Sequence, residues 1–223
     1  QNQAMFVGVD GYARGWVAIA LDDAGFAGAG AFSSFDEVMR AYGAARAIGV
    51  DMPLGLTASE PREADAAARR FLKGQASSVF PAPVREVLRA KDYAEARAIS
   101  LRVRGKSLSK QAFNLVRKMN EVDAHIADAR LFEVHPEVSF RQLGGARLPS
   151  KKTWGGLSRR LALLERAGVR VPPALGDADD AGIDDVVDAA IAAWSARRIA
   201  HGEARTFPET PTQTDRGRLL AIW

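Results

Sequence analysis

The sequence predicts an α/β fold, and three observations carry that prediction: short β-branched apolar runs gathered before residue 52, a fifth such run near residue 130, and helical periodicity through most of what lies between and after them. "MFVGVD" (5–10) and "GWVAIALD" (15–22) read as strands separated by a glycine-rich turn, and "GFAGAGA" (25–31) as a weaker third strand of a meander. Ser34 and Glu37 make a capping box for a helix over about 35–44. "RAIGVD" (46–51) is a buried strand stopped by Pro53. The chain from Pro61 to Arg130 is mostly helical, interrupted by the stiff "SSVFPAP" at 77–83, in which Phe80 is expected to be core. It reads as a helical insertion at about 58–130 in a single domain spanning 5–223. "RLFEVH" (130–135) returns to strand, and helices follow near 137–143, 153–167 and 183–200, before a Pro- and Thr-rich tail. There is no internal repeat and no low-complexity tract.

At 223 residues the chain is long enough for a sizeable core, and 47% hydrophobic with 26% charged residues is a globular composition. No apolar run approaches the roughly 20 residues of a membrane span, so no membrane partner is expected. Met5 reads as the native start, with Gln1 to Ala4 a remnant ahead of it. The absence of cysteine excludes disulfides, thiol catalysis and cysteine-ligated zinc, and fits a cytoplasmic setting. Charge is uneven. Residues 58–130 hold 15 basic and 9 acidic side chains, and between Ala96 and Asn120 there are seven basic residues and no acidic one. Such a run suits a polyanion, nucleic acid above all, or simply keeps a helical face solvated. Oligomeric state is not written in the sequence; a homodimer is compatible with it.

Carboxylates occupy places where apolar residues would be expected. Asp10 closes the first strand and Asp51 the fourth, where ligands gather in α/β sheets, although either one alone is ordinary turn chemistry. In "DDVVDAAIAAW" (184–194), Asp184 and Asp185 suit a helix's first turn, but Asp188 lies one turn further in, between Val187 and Ala189. Three-residue spacing puts it on a face with Asp185, where repulsion needs an offsetting cation. Asp10, Asp51, Glu133, Asp185 and Asp188 make five carboxylates in otherwise apolar elements. Oxygen-only donors suit hard Mg²⁺ or Mn²⁺, and two such ions about 3.5–4 Å apart can hydrolyse a phosphodiester without a nucleophilic side chain.

The ordered motifs "FVGVDGYARGW", "IGVDMPLGL", "SSVFPAP", "EVHPEVSF", "SKKT" and "DDVVDAAIAAW" resemble the bacterial family catalogued as domain of unknown function 429, described as predicted RNase H-like nucleases. The resemblance spans nearly the whole chain. It implies an RNase H-like fold, a mixed five-stranded sheet flanked by helices. In it Asp10 is the central-strand aspartate, Asp51 the fourth-strand acid, and Asp185 with Asp188 resembles the aspartate pair on the last helix of RuvC-type resolvases. Glu133 has no certain counterpart there.

Other residues carry two readings. Glu133, His135 and Glu137 share a face if the strand persists, making His135 a general base, phosphate contact or metal ligand; with Pro136 at a helix start, Glu137 is instead a favourable early-turn acid. Lys151 and Lys152 precede a helix near Thr153, where cations and free N–H groups hold phosphate, or are simply solvated. Arg62, Asp65 and Arg69 form a helical charge ladder, or a phosphate clamp if they face the acidic cluster.

The resulting expectation is a metal-dependent phosphodiesterase on DNA or RNA. Asp10, Asp51, Asp185 and Asp188 ligate metal, Glu133 or Glu137 adds a ligand or proton carrier, and Arg14, Arg62, Lys151 and Lys152 contact phosphate. Two other classes compete. A catalytically silent nucleic-acid or nucleotide binder would use the basic insertion without divalent dependence. An actin- or sugar-kinase-like phosphotransferase shares the strand order, but Tyr12-Ala13-Arg14 replaces the small hydroxyl residues of its phosphate loop, and a duplicated second half is missing.

Overall fold

The computed structural model describes residues 4–223; the rest of the expected leader remnant, Gln1 to Gln3, lies outside the described residues. In chain order the elements are β1 (Phe6–Tyr12), β2 (Gly15–Asp22), β3 (Gly25–Phe32), α1 (Phe35–Ala41), β4 (Ala47–Val50), α2 (Glu63–Phe71), α3 (Tyr93–Arg104), α4 (Lys110–Asn114), α5 (Val116–Asp123), β5 (Leu131–Glu133), α6 (Pro136–Gly144), α7 (Trp154–Arg166), α8 (Ile183–Ala200), β6 (Thr214–Asp215) and β7 (Arg218–Leu219). They divide into two compact units. One takes the chain through Met52, Ala129–Arg205 and Trp223, the other Pro53–Asp128 and Thr206–Ile222.

The first unit is an α/β layer structure on a mixed five-stranded sheet of order β3-β2-β1-β4-β5. The meander β1-β2-β3 is antiparallel, while β4 joins β1 and β5 joins β4 in parallel. This is the arrangement expected of an RNase H-like sheet. β1 and β4 are central and read as continuous apolar runs, Val7, Val9, Ile48 and Val50 being fully buried. The expected first helix stops earlier than 44, at Ala41, with Tyr42 as its C-cap. β5 ends at Glu133 rather than 135 because Pro136 opens α6 with His135 as its N-cap, so the early-turn reading of Glu137 is the one realised.

In the second unit, Arg62 and Asp65 form the expected pair at 3.0 Å, but Arg69 leaves the ladder and donates to the Val79 carbonyl at 2.9 Å. Val79 is core while Phe80 is only half-buried, a correction to the expectation for that ring. The tail contributes what its composition did not announce. Thr214–Asp215 and Arg218–Leu219 form a tight hairpin whose turn residues, Arg216 and Gly217, both have positive φ. Asp215 accepts the Leu56 N–H and pairs with Arg85, which also grips Asp123. The basic run is partly consumed internally: Arg104 bonds Thr57, Ser59, Glu60 and Ala82, Arg102 pairs with Glu86, and Arg97 lies over Tyr93. Lys106, Lys110 and Arg117 are exposed. Among the described residues no helix is long and apolar enough to cross a membrane.

Candidate metal centre

Two glycines decide where the acids go. Side chains alternate along a strand, so Gly8 and Asp10 share one face of β1, and Gly49 and Asp51 continue the corresponding face of β4, with Gly8 and Gly49 directly paired. That face is covered by α8. A Cβ on Gly8 would come within 2.0 Å of the Ala189 carbonyl oxygen and the Ala193 nitrogen, and one on Gly49 within 2.8 Å of the Ala192 carbonyl. Backbone meets backbone along this seam, which is why "DAAIAAW" is so rich in alanine. The helix runs antiparallel to β1 and β4, so its N-terminal turns reach their carboxyl ends. One turn before Ala192 the same face carries Asp188.

Asp10, Asp51 and Asp188 therefore converge, each offering an oxygen, with all three oxygens within 4.8 Å of one another. Asp188 is only 2% exposed and Asp10 8%, while Asp51 is half-buried. The Asp51 N–H donates to the Val9 carbonyl at 2.9 Å, and Asp10 Oδ1 accepts the Gly11 N–H at 2.6 Å, so backbone fixes both. Burial, reinforced by Asp51, Asp188 and Asp185, pushes the Asp10 carboxyl well above the ordinary carboxylate range; burial and Asp188 do the same to Asp51. Burial also raises Asp188, to about 6, against the pull of Lys151.

Lys151, expected as a phosphate contact, stands beside the acidic group. Its ammonium is bonded to Asp188 Oδ2 and stands 3.9 Å from Asp184, while Lys152 pairs with Asp184. Burial works against the Lys151 charge, but Asp188, Asp10 and Asp51 outweigh it and hold the ammonium above the usual lysine range. The other oxygen of Asp188, Oδ1, is buried without a hydrogen bond. A buried, unsatisfied carboxylate oxygen is costly unless something cationic meets it. Three carboxylates, one of them with this buried and unbonded oxygen, form a donor set that fits a hard metal ion.

The remaining expected residues are placed differently. Asp185 is outside the three-oxygen group; half-exposed, it turns toward the Gly182 N–H, and burial with Asp184 raises its carboxyl. Glu133 is 5% exposed and adds to the negative field at Asp51. Glu137 contributes to that field too, but its carboxylate is held at 2.6 Å by Arg160, whose side chain is almost fully enclosed and also bonds the Pro149 and Gly156 carbonyls. His135 is half-buried at the α6 N-cap. Arg14 is exposed and paired with Asp180 at 2.7 Å. In the second unit the Arg62 side chain is enclosed, with Asp65 as its partner. Arg160 and the carboxylate-pairing role of Asp184 were not foreseen; the only sequence signal was the Lys151-Lys152 doublet opposite an aspartate-rich helix start.

The family model described as "Protein of unknown function (DUF429)" matches residues 8–213, which include all three converging aspartates. The chain belongs to this family. No curated protein and no solved structure matches it. Within DUF429, then, this chain carries a buried acidic group compatible with metal binding.

Proposed function

We propose that this DUF429 protein is a metal-dependent nuclease, hydrolysing phosphodiester bonds of DNA or RNA with Mg²⁺ or Mn²⁺ held by Asp10, Asp51 and Asp188. The observation that carries the reading is the convergence of three carboxylates from three elements on one point, with Asp188 Oδ1 buried and unsatisfied. A bound divalent ion would polarise the phosphoryl oxygen and make water a competent nucleophile at neutral pH. The chain's own residues have distinct tasks. The three aspartates bind the ion, Lys151 fixes the orientation of Asp188, and Asp185, half-exposed with a raised carboxyl, suits a proton carrier between site and solvent. The basic excess of residues 58–130 supports a polyanionic substrate. The Arg160–Glu137 pair supports a positioning role for Glu137 in preference to a ligand role.

The test is a panel of labelled single-stranded, duplex and branched DNA and RNA with Mg²⁺, Mn²⁺ or chelator. Cleavage that needs the metal and falls at least about 100-fold in Asp188→Asn is expected. Salt-dependent binding with no cleavage under any metal would instead favour the silent nucleic-acid binder.

A further inference from the structure

The charge and bonding around the three aspartates say how many ions the site takes. With a cation bound, Asp10, Asp51 and Asp188 bring three negative charges, and Lys151 returns one positive charge from within the group. Glu137 is balanced by Arg160, and Asp184 by Lys152. Glu133 and Asp185 lie around the group rather than in it. The three aspartates and Lys151 by themselves are thus left with two negative charges, the complement of one divalent ion, and Glu133 and Asp185 add to the negative field from outside the group. Bonding gives the same count. Two ions about 3.5–4 Å apart act together as a clamp on the phosphodiester, and an aspartate joins such a pair through both oxygens only if both are free. Asp188 has Oδ2 on Lys151, leaving Oδ1 for a metal, and Asp10 has Oδ1 on the Gly11 N–H.

We propose that the centre binds a single divalent cation and that the Lys151 ammonium permanently occupies the place of the second. This rests on the metal-site reading of the three aspartates and replaces the two-ion arrangement that the carboxylate count suggested. Lys151 is here a positioning residue: it holds Asp188 by Oδ2, leaves Oδ1 unbonded, and supplies the second positive charge beside the substrate phosphate. Its placement follows from the Ser150–Thr153 turn, which α7 anchors through Thr153 as its N-cap.

The experiment is Mn²⁺ titration of the whole chain by calorimetry and by electron paramagnetic resonance, on wild type, Lys151→Met, Lys151→Arg and Lys152→Met, with circular dichroism to verify folding. Expected are one uncoupled Mn²⁺ per chain in the wild type, Lys151→Arg and Lys152→Met, and a second, spin-coupled Mn²⁺ in Lys151→Met. A coupled pair in the wild type, or a single ion in folded Lys151→Met, overturns the proposal while leaving the metal site standing. Should Lys151→Met not fold, the wild-type spectrum with Lys151→Arg still decides, because a coupled pair in either overturns it. Absence of Mn²⁺ binding in every folded form removes the metal-site reading itself, and this inference with it.

Discussion

Replacing Asp188 by asparagine should make the metal-free protein more stable. In the wild type the carboxyl rises from its ordinary 3.8 to about 6, with burial as the largest cause and with the attraction of Lys151 already included. At 1.36 kcal/mol per pH unit of pKa change, keeping this group ionised in the folded chain costs about 3 kcal/mol at pH 7. Asparagine has the same shape and no charge, and Lys151 keeps Asp184 within 3.9 Å and about a third of its own surface in solvent. For a chain of this length the gain corresponds to about 6–12 °C in Tm. The sign with pH follows from a raised carboxyl: its contribution to stability is intact below 3.8 and is lost as pH rises through about 6. The advantage of the variant is therefore under about 1 kcal/mol at pH 4 and grows to its full value by pH 7. Metal inverts the order. Ligand at 100 times Kd stabilises the wild type by about 2.7 kcal/mol and at 1,000 times by about 4.1 kcal/mol, so the wild type overtakes the variant between those concentrations. Thermal melts in chelator and in a Mn²⁺ series at pH 4 and pH 7 provide the assay. An Asp188→Asn variant that melts at or below the wild type in chelator at pH 7 refutes the reasoning.

Three further outcomes are expected. Mn²⁺ affinity weakens as pH falls through about 6, because Asp188 takes up a proton; calorimetry from pH 5 to 8 checks this, and a flat profile contradicts it. Gly8→Ala forces α8 away from the sheet, costing roughly 1–3 kcal/mol in urea unfolding and weakening Mn²⁺ binding together, since the added methyl meets helix backbone that no rotamer change can clear. Glu137→Gln withdraws the charge facing the enclosed Arg160 guanidinium and lowers stability by about 3 kcal/mol at neutral pH in thermal melts, with metal stoichiometry unchanged.

The fold was legible because its signals are local and redundant. Short apolar runs located all five strands of the large sheet, the third most weakly, and α8 was placed at 183–200, which is where it lies. Asp10, Asp51 and Asp188 were legible for a related reason: a charged residue inside an apolar run stands out in one dimension. The grouping was harder. Three residues along a helix turn about 300°, leaving Asp185 roughly 60° from Asp188 and a turn nearer the helix start, while Asp51 takes the third position in the group. Nothing in the spacing of "DDVVD" distinguishes these outcomes; the seam at Gly8 and Gly49 does, and that seam joins residues more than 140 positions apart. Lys151 was read as a phosphate contact for the same reason, since its partner is 37 positions away. The tail hairpin escaped because Arg216 adopts positive φ without being glycine or asparagine.

The glycine seam also sets which changes in chain length the molecule can absorb. α8 is seated by Ala189, Ala192 and Ala193 on two bare strand positions, so Asp188 is indexed to those alanines and not to the loop that delivers the helix. A residue gained or lost between Gly168 and Gly182 disturbs the packing of Val169 and Ala178 but leaves α8 seated on the same glycines. One gained or lost between Asp188 and Ala192 rotates the carboxylate by about 100° and carries it off the sheet face. Length variation among proteins built on this plan should therefore collect before the helix, while the four-residue step from Asp188 to Ala192 stays constant.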